Sequence, residues 1–242
     1  MQPIAVAAAI VIAASLAPAA ANAESVLRIR PFGDVKTLDP ITNTDYMVRN
    51  HGYFVYDTLF GVDDKLAVKG QMVESWQVSA DNKVWTFKLR DGLAFHDGQP
   101  VTASDVVASL KRWGARDGLG QQLLAHVATL EVIDAASFRM TLNRPWGLVL
   151  DALGKPSSNV PFIMPARIAA TPPDKNIDDP TGSGPFIMKR DEWNAGSRIV
   201  YVRNPAYVPR SEPASGFSGG KRAGFDRVEL LMLPDVQTAM GA

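Results

Sequence analysis

ESWQVSADNKVWTFKLRDGLAFHDGQPVTASDVVASLKRW, residues Glu74 to Trp113, decides how this chain folds. Trp85, Phe87 and Leu89 alternate with Thr86, Lys88 and Arg90, the period-two pattern of a strand with one buried face. Trp76 and Val78 set the same pattern before Ser79-Ala80-Asp81-Asn82 breaks it, so the two pieces predict a hairpin. Trp76, Trp85, Phe87 and Phe95 are read as core. Asp91-Gly92 and Asp97-Gly98 mark tight turns on either side of Leu93 and Phe95. A helix follows. Thr102 is its N-cap, with Asp105 as a short capping-box partner. Ala103, Val106, Val107, Leu110 and Trp113 share one face, Lys111 and Arg112 suit the last turn, and Gly114 is a natural stop.

Outside this unit, the pattern predicts a first strand over 26–30 and a turn at Leu38-Asp39-Pro40. A helix is expected from about Asp45 to Leu59, then a loop or hairpin with Asp63-Asp64 at its tip. Further on come a short helix over 121–128, a hairpin joining 129–133 to 137–142, and a helix opened by Pro145-Trp146. Met164-Pro165 starts another helical turn, and the Pro-, Asp- and Gly-rich 171–184 is a crossing segment. Two strands turn at Asn194-Ala195-Gly196, and a last strand covers Asp226 to Leu233. Asp235 caps a short helix that reaches Met240.

The 242 residues are 46% hydrophobic, enough for a real core in one or two domains. Twenty-five basic side chains balance 25 acidic ones, which gives nucleic-acid binding no electrostatic support. With 0 cysteines, disulfides, thiolate metal sites and a lipid-modified cysteine are excluded. Ile4 to Leu16 is an apolar run of signal-peptide length, and Ala21-Asn22-Ala23 is a small-x-small cleavage site before Glu24. Residues 1–23 are therefore expected to be removed on export to the periplasm, leaving a soluble protein.

Gly216-Phe217-Ser218-Gly219-Gly220 matches the G-x-S-x-G nucleophile elbow, which makes a secreted serine hydrolase an alternative. That motif needs a strand before it, a helix after it and a downstream histidine. Here both flanks read as loop, and His51, His96 and His126 all lie upstream. His96-Asp97 sits in a turn with no second histidine in reach, so packing is favoured over metal binding. No catalytic constellation emerges, and binding is the better class of function.

Glu74-Ser75-Trp76, Trp85 to Gly92, Phe95-His96-Asp97-Gly98 and Pro100 to Val106 together resemble the signature region of the family 5 extracellular solute-binding proteins. These are the oligopeptide, dipeptide and nickel receptors of bacterial ABC importers. Leu38-Asp39-Pro40, Gly182-Ser183-Gly184-Pro185 and Asn204-Pro205-Ala206-Tyr207 extend the likeness over about 26–240. The resemblance implies a mixed α/β lobe of the periplasmic-binding-protein type II kind. Residues 24–46 and 178–242 would form its sheet-bearing part, with an α+β subdomain, 47–177, inserted. It also implies a second lobe, which this sequence lacks, so the chain is expected to be a truncated product and to bind no peptide tightly alone.

Candidate ligand contacts implied by the family are Asn43, Thr44, Asp45 and Tyr46 after the first strand. Gly120 and Gln121, within 118–122, and Ser158 and Asn159, within 157–159, are placed on the same edge. The implied function is capture of a peptide or similar small solute by hinge closure, without bond chemistry. A monomer would deliver it to an inner-membrane ABC permease, with no cofactor and no metal. A sensor or scaffold lobe that docks without transporting is the remaining alternative.

Overall fold

In the computed structural model, which describes residues 23–233, strand β1 (Val26–Ile29) is followed by the loop that carries Leu38-Asp39-Pro40. Helix α1 (Tyr46–Val55) starts where Asp45 caps it, Oδ1 accepting the Met47 amide at 2.7 Å. It ends before the Leu59 expected from the sequence, because Tyr56 turns extended and strand β2 (Asp57–Thr58) pairs elsewhere. Strands β3 (Phe60–Val62) and β4 (Val68–Gly70) form the hairpin around Asp63-Asp64. Asp63 Oδ1 accepts the Lys65 and Ala67 amides there.

The Glu74–Trp113 unit supplies strands β5 (Val73–Val78) and β6 (Val84–Leu89) and helix α2 (Ala103–Gly114). Trp76 stands opposite Phe87 and Val78 opposite Trp85, and Asn82 takes φ 55° in the turn. The capping pair is present: the Thr102 amide and hydroxyl both donate to Asp105 Oδ2, at 2.8 and 2.6 Å. One expectation fails here. Trp76 is 36% exposed, because β5 is an edge strand whose outer residues face solvent, although its ring meets Phe60 edge-on at 5.2 Å. Gly114 is the last residue of α2, as expected, and its lack of a side chain also serves packing, since a Cβ would come 2.4 Å from Leu124 Cδ1.

That contact belongs to helix α3 (Gly118–His126), which starts three residues earlier than its periodicity suggests. Asp117 accepts the Leu119 and Gly120 amides and so nucleates the turn from what reads as loop. Strands β7 (Val127–Val132) and β8 (Ser137–Leu142) are the expected hairpin. Helix α4 (Val149–Gly154) begins beyond Pro145-Trp146, and β9 (Phe162–Ile163) pairs with β2. Helix α5 (Ala166–Ala169) is anchored where the Ala166 amide donates to Asp105 Oδ1 at 2.7 Å. Strand β10 (Phe186–Met188), a 3-10 turn at Arg190–Glu192, β11 (Arg198–Arg203) and β12 (Arg227–Leu231) complete the described chain.

One four-stranded sheet has the order β1-β12-β11-β10, with β1 and β12 parallel and the other pairs antiparallel. The other has the order β5-β6-β8-β7 and is wholly antiparallel. Helix α2 packs on β7, β8 and β9 and against α3 and α5. A continuous apolar core joins the layers through Tyr56, Phe60, Phe87, Trp113, Phe138, Phe162 and Tyr201. Phe87 stacks on Phe138 with ring centroids 4.7 Å apart. The architecture is the expected mixed α/β one. The expected signal segment, apart from Ala23, and the expected helix over 235–240 lie outside the described residues.

Candidate functional site

Asp39, in the turn after β1, is the hub on which the candidate loop hangs. Its carboxylate meets Arg112 of α2 through two bonds, Nη1 to Oδ1 at 3.1 Å and Nη2 to Oδ2 at 2.6 Å. The two side chains are 0% and 2% exposed. Asp39 also accepts the Ile41 and Ile177 amides, while Arg112 donates to the carbonyls of Thr171 and Lys175. A buried pair whose remaining donors and acceptors are so well used ties the turn rigidly to the core.

Beyond this anchor, Asn43 Oδ1 accepts the Asp45 amide at 2.7 Å, and Asp45 in turn caps α1. Buried Asn159 clamps the loop from across the chain. Its Nδ2 donates to the carbonyls of Asn43 and Pro40 at 3.0 and 3.2 Å, and its own carbonyl accepts Trp113 Nε1 at 2.7 Å. Thr44 and Tyr46 remain exposed at this edge, as does Ser158, which takes φ 57°. The structure therefore brings Asn43–Tyr46 and the 157–159 loop together. Asn159 is spent on positioning rather than presented to a solute.

Gly120 and Gln121 do not join them. Gly120 is enclosed: a Cβ there would lie 2.9 Å from Gly114 Cα and 3.1 Å from the Trp113 ring, so its role is the α2–α3 crossing. Gln121 returns its amide to the Ala115 carbonyl.

Sequence reasoning missed the outer face of α1. Tyr46, Arg49, Asn50 and Tyr53 recur at helical spacing, while Met47, Val48, His51, Gly52 and Val55 are buried behind them. The spacing of Tyr46, Arg49, Asn50 and Tyr53 at i, i+3, i+4 and i+7 was the available signal. The Arg49 guanidinium carbon lies 4.7 Å from the Tyr46 ring centroid, Nη1 donates to Ser157 Oγ and Nη2 to Asn50 Oδ1. Tyr53 donates to the Pro156 carbonyl at 3.0 Å.

The stripe continues into a cavity of about 430 Å³ lined by Asn50, Tyr53, Phe54, Phe217, Lys221 and Arg222, among others. Its wall, the 209–224 loop, is held by Lys221, whose Nζ donates to Asp57 Oδ1 at 2.7 Å while Tyr207 donates to Oδ2 at 2.9 Å. Burial pushes the Asp57 carboxyl up, but the Lys221 charge and these hydrogen bonds outweigh it and hold the group below the usual carboxylate range.

The hydrolase alternative finds no support in this geometry. Ser218 is buried, its hydroxyl donates to the Ser215 carbonyl at 3.0 Å, and Gly216 and Gly219 at φ 55° and 78° make the segment a turn. None of the three histidines bonds to it. His51 Nδ1 meets Tyr201 Oη, His126 Nδ1 meets the Gln122 carbonyl, and His96 is held between Gly182 and Gly184. The Gly182 amide donates to His96 Nδ1, which leaves Nε2 to donate to the Gly184 carbonyl, so the ring is a packing element.

The profile described as bacterial extracellular solute-binding proteins, family 5 Middle, matches residues 67–242. A probable peptide ABC transporter periplasmic-binding protein of Sinorhizobium fredii, y4tO, is 39% identical over 86% of this chain and 39% of its own length. The probable D,D-dipeptide-binding periplasmic protein DdpA of Escherichia coli is 31% identical over 80% of this chain and 38% of its own. The chain thus spans about two fifths of the length of these relatives. Among solved structures, AgaA in complex with agropinic acid from A. tumefaciens superposes with TM-score 0.71 at 26% identity, covering 90% of this chain and 41% of that one. The oligopeptide-binding protein AppA of Bacillus subtilis, in complex with a nonapeptide, superposes with TM-score 0.69 at 23% identity over 89% and 41%, a likeness of fold.

Proposed function

We propose, for a chain that belongs to the family 5 bacterial extracellular solute-binding proteins, that it contributes to capture of a peptide or similar small solute for an ABC importer. The observation that carries this reading is the convergence of Asn43–Tyr46, the outer, partly exposed stripe of α1 and the 157–159 loop on one rigidly backed edge. A binding surface needs preformed polar and aromatic groups on a firm scaffold, and this edge has them without a nucleophile and base in register.

The same reading treats 24–46 with 178–242 as the sheet-bearing part and 47–177 as an insertion. It has the solute enclosed by closure against a facing lobe, with delivery to an inner-membrane permease and no bond chemistry. Export as a periplasmic monomer, with Glu24 as the new N-terminus, completes it. An open edge encloses little of a solute, so affinity for this chain alone is weak, on the order of millimolar.

Calorimetry of the full chain against a panel of tripeptides tests the proposal. Weak saturable heats, reduced several-fold by Tyr46→Ala, are expected. Heats that never saturate for any peptide would count against it, and so would binding untouched by that substitution.

A further inference from the structure

Arg49 stands apart from the other part-buried cations of this edge. Lys221 has Asp57, Lys155 has Asp117 at 2.5 Å and Arg112 has Asp39, whereas no ion pair among the described residues includes Arg49. Its contacts are all neutral: the Ser157 hydroxyl, the Asn50 side-chain carbonyl and the Tyr46 ring. Asp45, one helical turn earlier, gives Oδ1 to the Met47 amide and forms no ion pair with Arg49. The Arg49 Nε is buried and has no hydrogen-bond partner among the described residues. A guanidinium that has lost part of its hydration without gaining a counterion is held at a cost that an incoming anion relieves.

Its geometry suits a planar acceptor. Ser157 and Asn50 take one N–H from each terminal nitrogen, which leaves a second N–H on both. The Tyr46 ring against it and the two bonds hold the group in advance, so little side-chain freedom is lost when a two-oxygen group docks. Tyr46 and Thr44 are exposed beside it, so the approach is from the edge already described.

We infer that Arg49 takes a carboxylate of the solute and so selects for anionic ligands. This inference rests on the solute-binding reading of the same edge and adds the chemical class. The carboxylate of a peptide C-terminus and that of an acidic side chain offer the same two oxygens.

The test follows the Arg49 Nε–H resonance by NMR in the full chain during titration with Ala-Ala-Ala, with its C-terminal amide, and with amidated Ala-Glu-Ala. The free acid is expected to shift that resonance saturably and to bind at least about tenfold more tightly than its amide. Amidated Ala-Glu-Ala that matches the free acid would identify a side-chain carboxylate as an equal source. An Ala-Glu-Ala amide no better than the Ala-Ala-Ala amide assigns the C-terminus. Arg49→Gln, followed through its backbone amides, should abolish the preference for acid over amide, read as the ratio of the two affinities. Arg49→Lys, which keeps charge but not the fork, should retain only part of it. Equal binding of all three peptides to the unaltered chain overturns the inference and leaves the solute reading standing, as does a preference for the carboxylate that survives in Arg49→Gln. If no peptide shifts any resonance, both fall together.

Discussion

His51 shows how one residue ties packing to solution behaviour. It is fully buried on the inner face of α1, and burial lowers its pKa from 6.5 to about 4, so the ring is neutral near pH 7. Because the folded value lies below the unfolded one, its contribution is complete above pH 6.5 and is lost as pH falls from there to about 4. The unaltered chain should therefore lose about 3 kcal/mol more over that interval than His51→Asn, which keeps an acceptor for Tyr201. Urea unfolding at the two ends of the interval measures this, and equal losses in both proteins would remove His51 as the cause. The Asp39–Arg112 pair gives a second residue-scale expectation. Asp39→Asn or Arg112→Met alone should cost about 3–5 kcal/mol, since each strands a buried partner, while the double variant should recover part of that loss. Additive losses in the double variant would contradict it. Neither residue announced its role in the sequence. Asp39 reads as a turn former and Arg112 as a last-turn cation, and only the tertiary approach of the β1–α1 loop to α2 puts them together.

Elements with local causes were the legible ones. The capping pair at Thr102 and Asp105, the period-two alternation of β6 and the Gly turns at Gly92 and Gly98 all rest on neighbours a few residues apart. Boundaries set from a distance were not legible: α1 stops at Val55 because β2 pairs with β9, more than a hundred residues away. Trp76 was misplaced for a related reason, since alternation marks which faces a strand has but not whether the outer one is covered. Gly114 and Gly98 separate two reasons for glycine. Gly114→Ala should destabilise by about 1–3 kcal/mol by overpacking against Leu124. Gly98→Ala meets nothing within 4 Å, yet should cost about 1–2 kcal/mol because φ is 82°. Thermal unfolding of both, with Leu124→Ala added, distinguishes the causes. Shortening Leu124 should rescue most of the Gly114→Ala loss and none of the Gly98→Ala loss.

At the scale of the whole molecule, the family signature in Glu74–Trp113 builds the core and, through Arg112 and Trp113 at its end, backs the candidate binding edge. That edge is assembled from the β1–α1 loop, the outer face of α1 and the 157–159 loop, distant in sequence and brought together by Asp39, Arg112 and Asn159. The resemblance pointed to Asn43–Tyr46, and 118–122 and 157–159 were placed on the same edge with it; the structure sets 157–159 beside Asn43, whereas Gly120 is enclosed in a helix crossing. Lys221 on Asp57 pins the wall of the adjoining cavity, so Lys221→Met should loosen the 209–224 loop. Faster amide exchange there is the expected result, and unchanged protection would deny the pin its role. The central claim is that this edge meets the solute, and backbone-amide NMR of the full chain titrated with Ala-Ala-Ala tests it most directly. Saturable shifts at 43–50 and 157–159, with the 216–220 turn unmoved, are predicted. Shifts confined to 216–220, or none that saturate anywhere, would contradict the account.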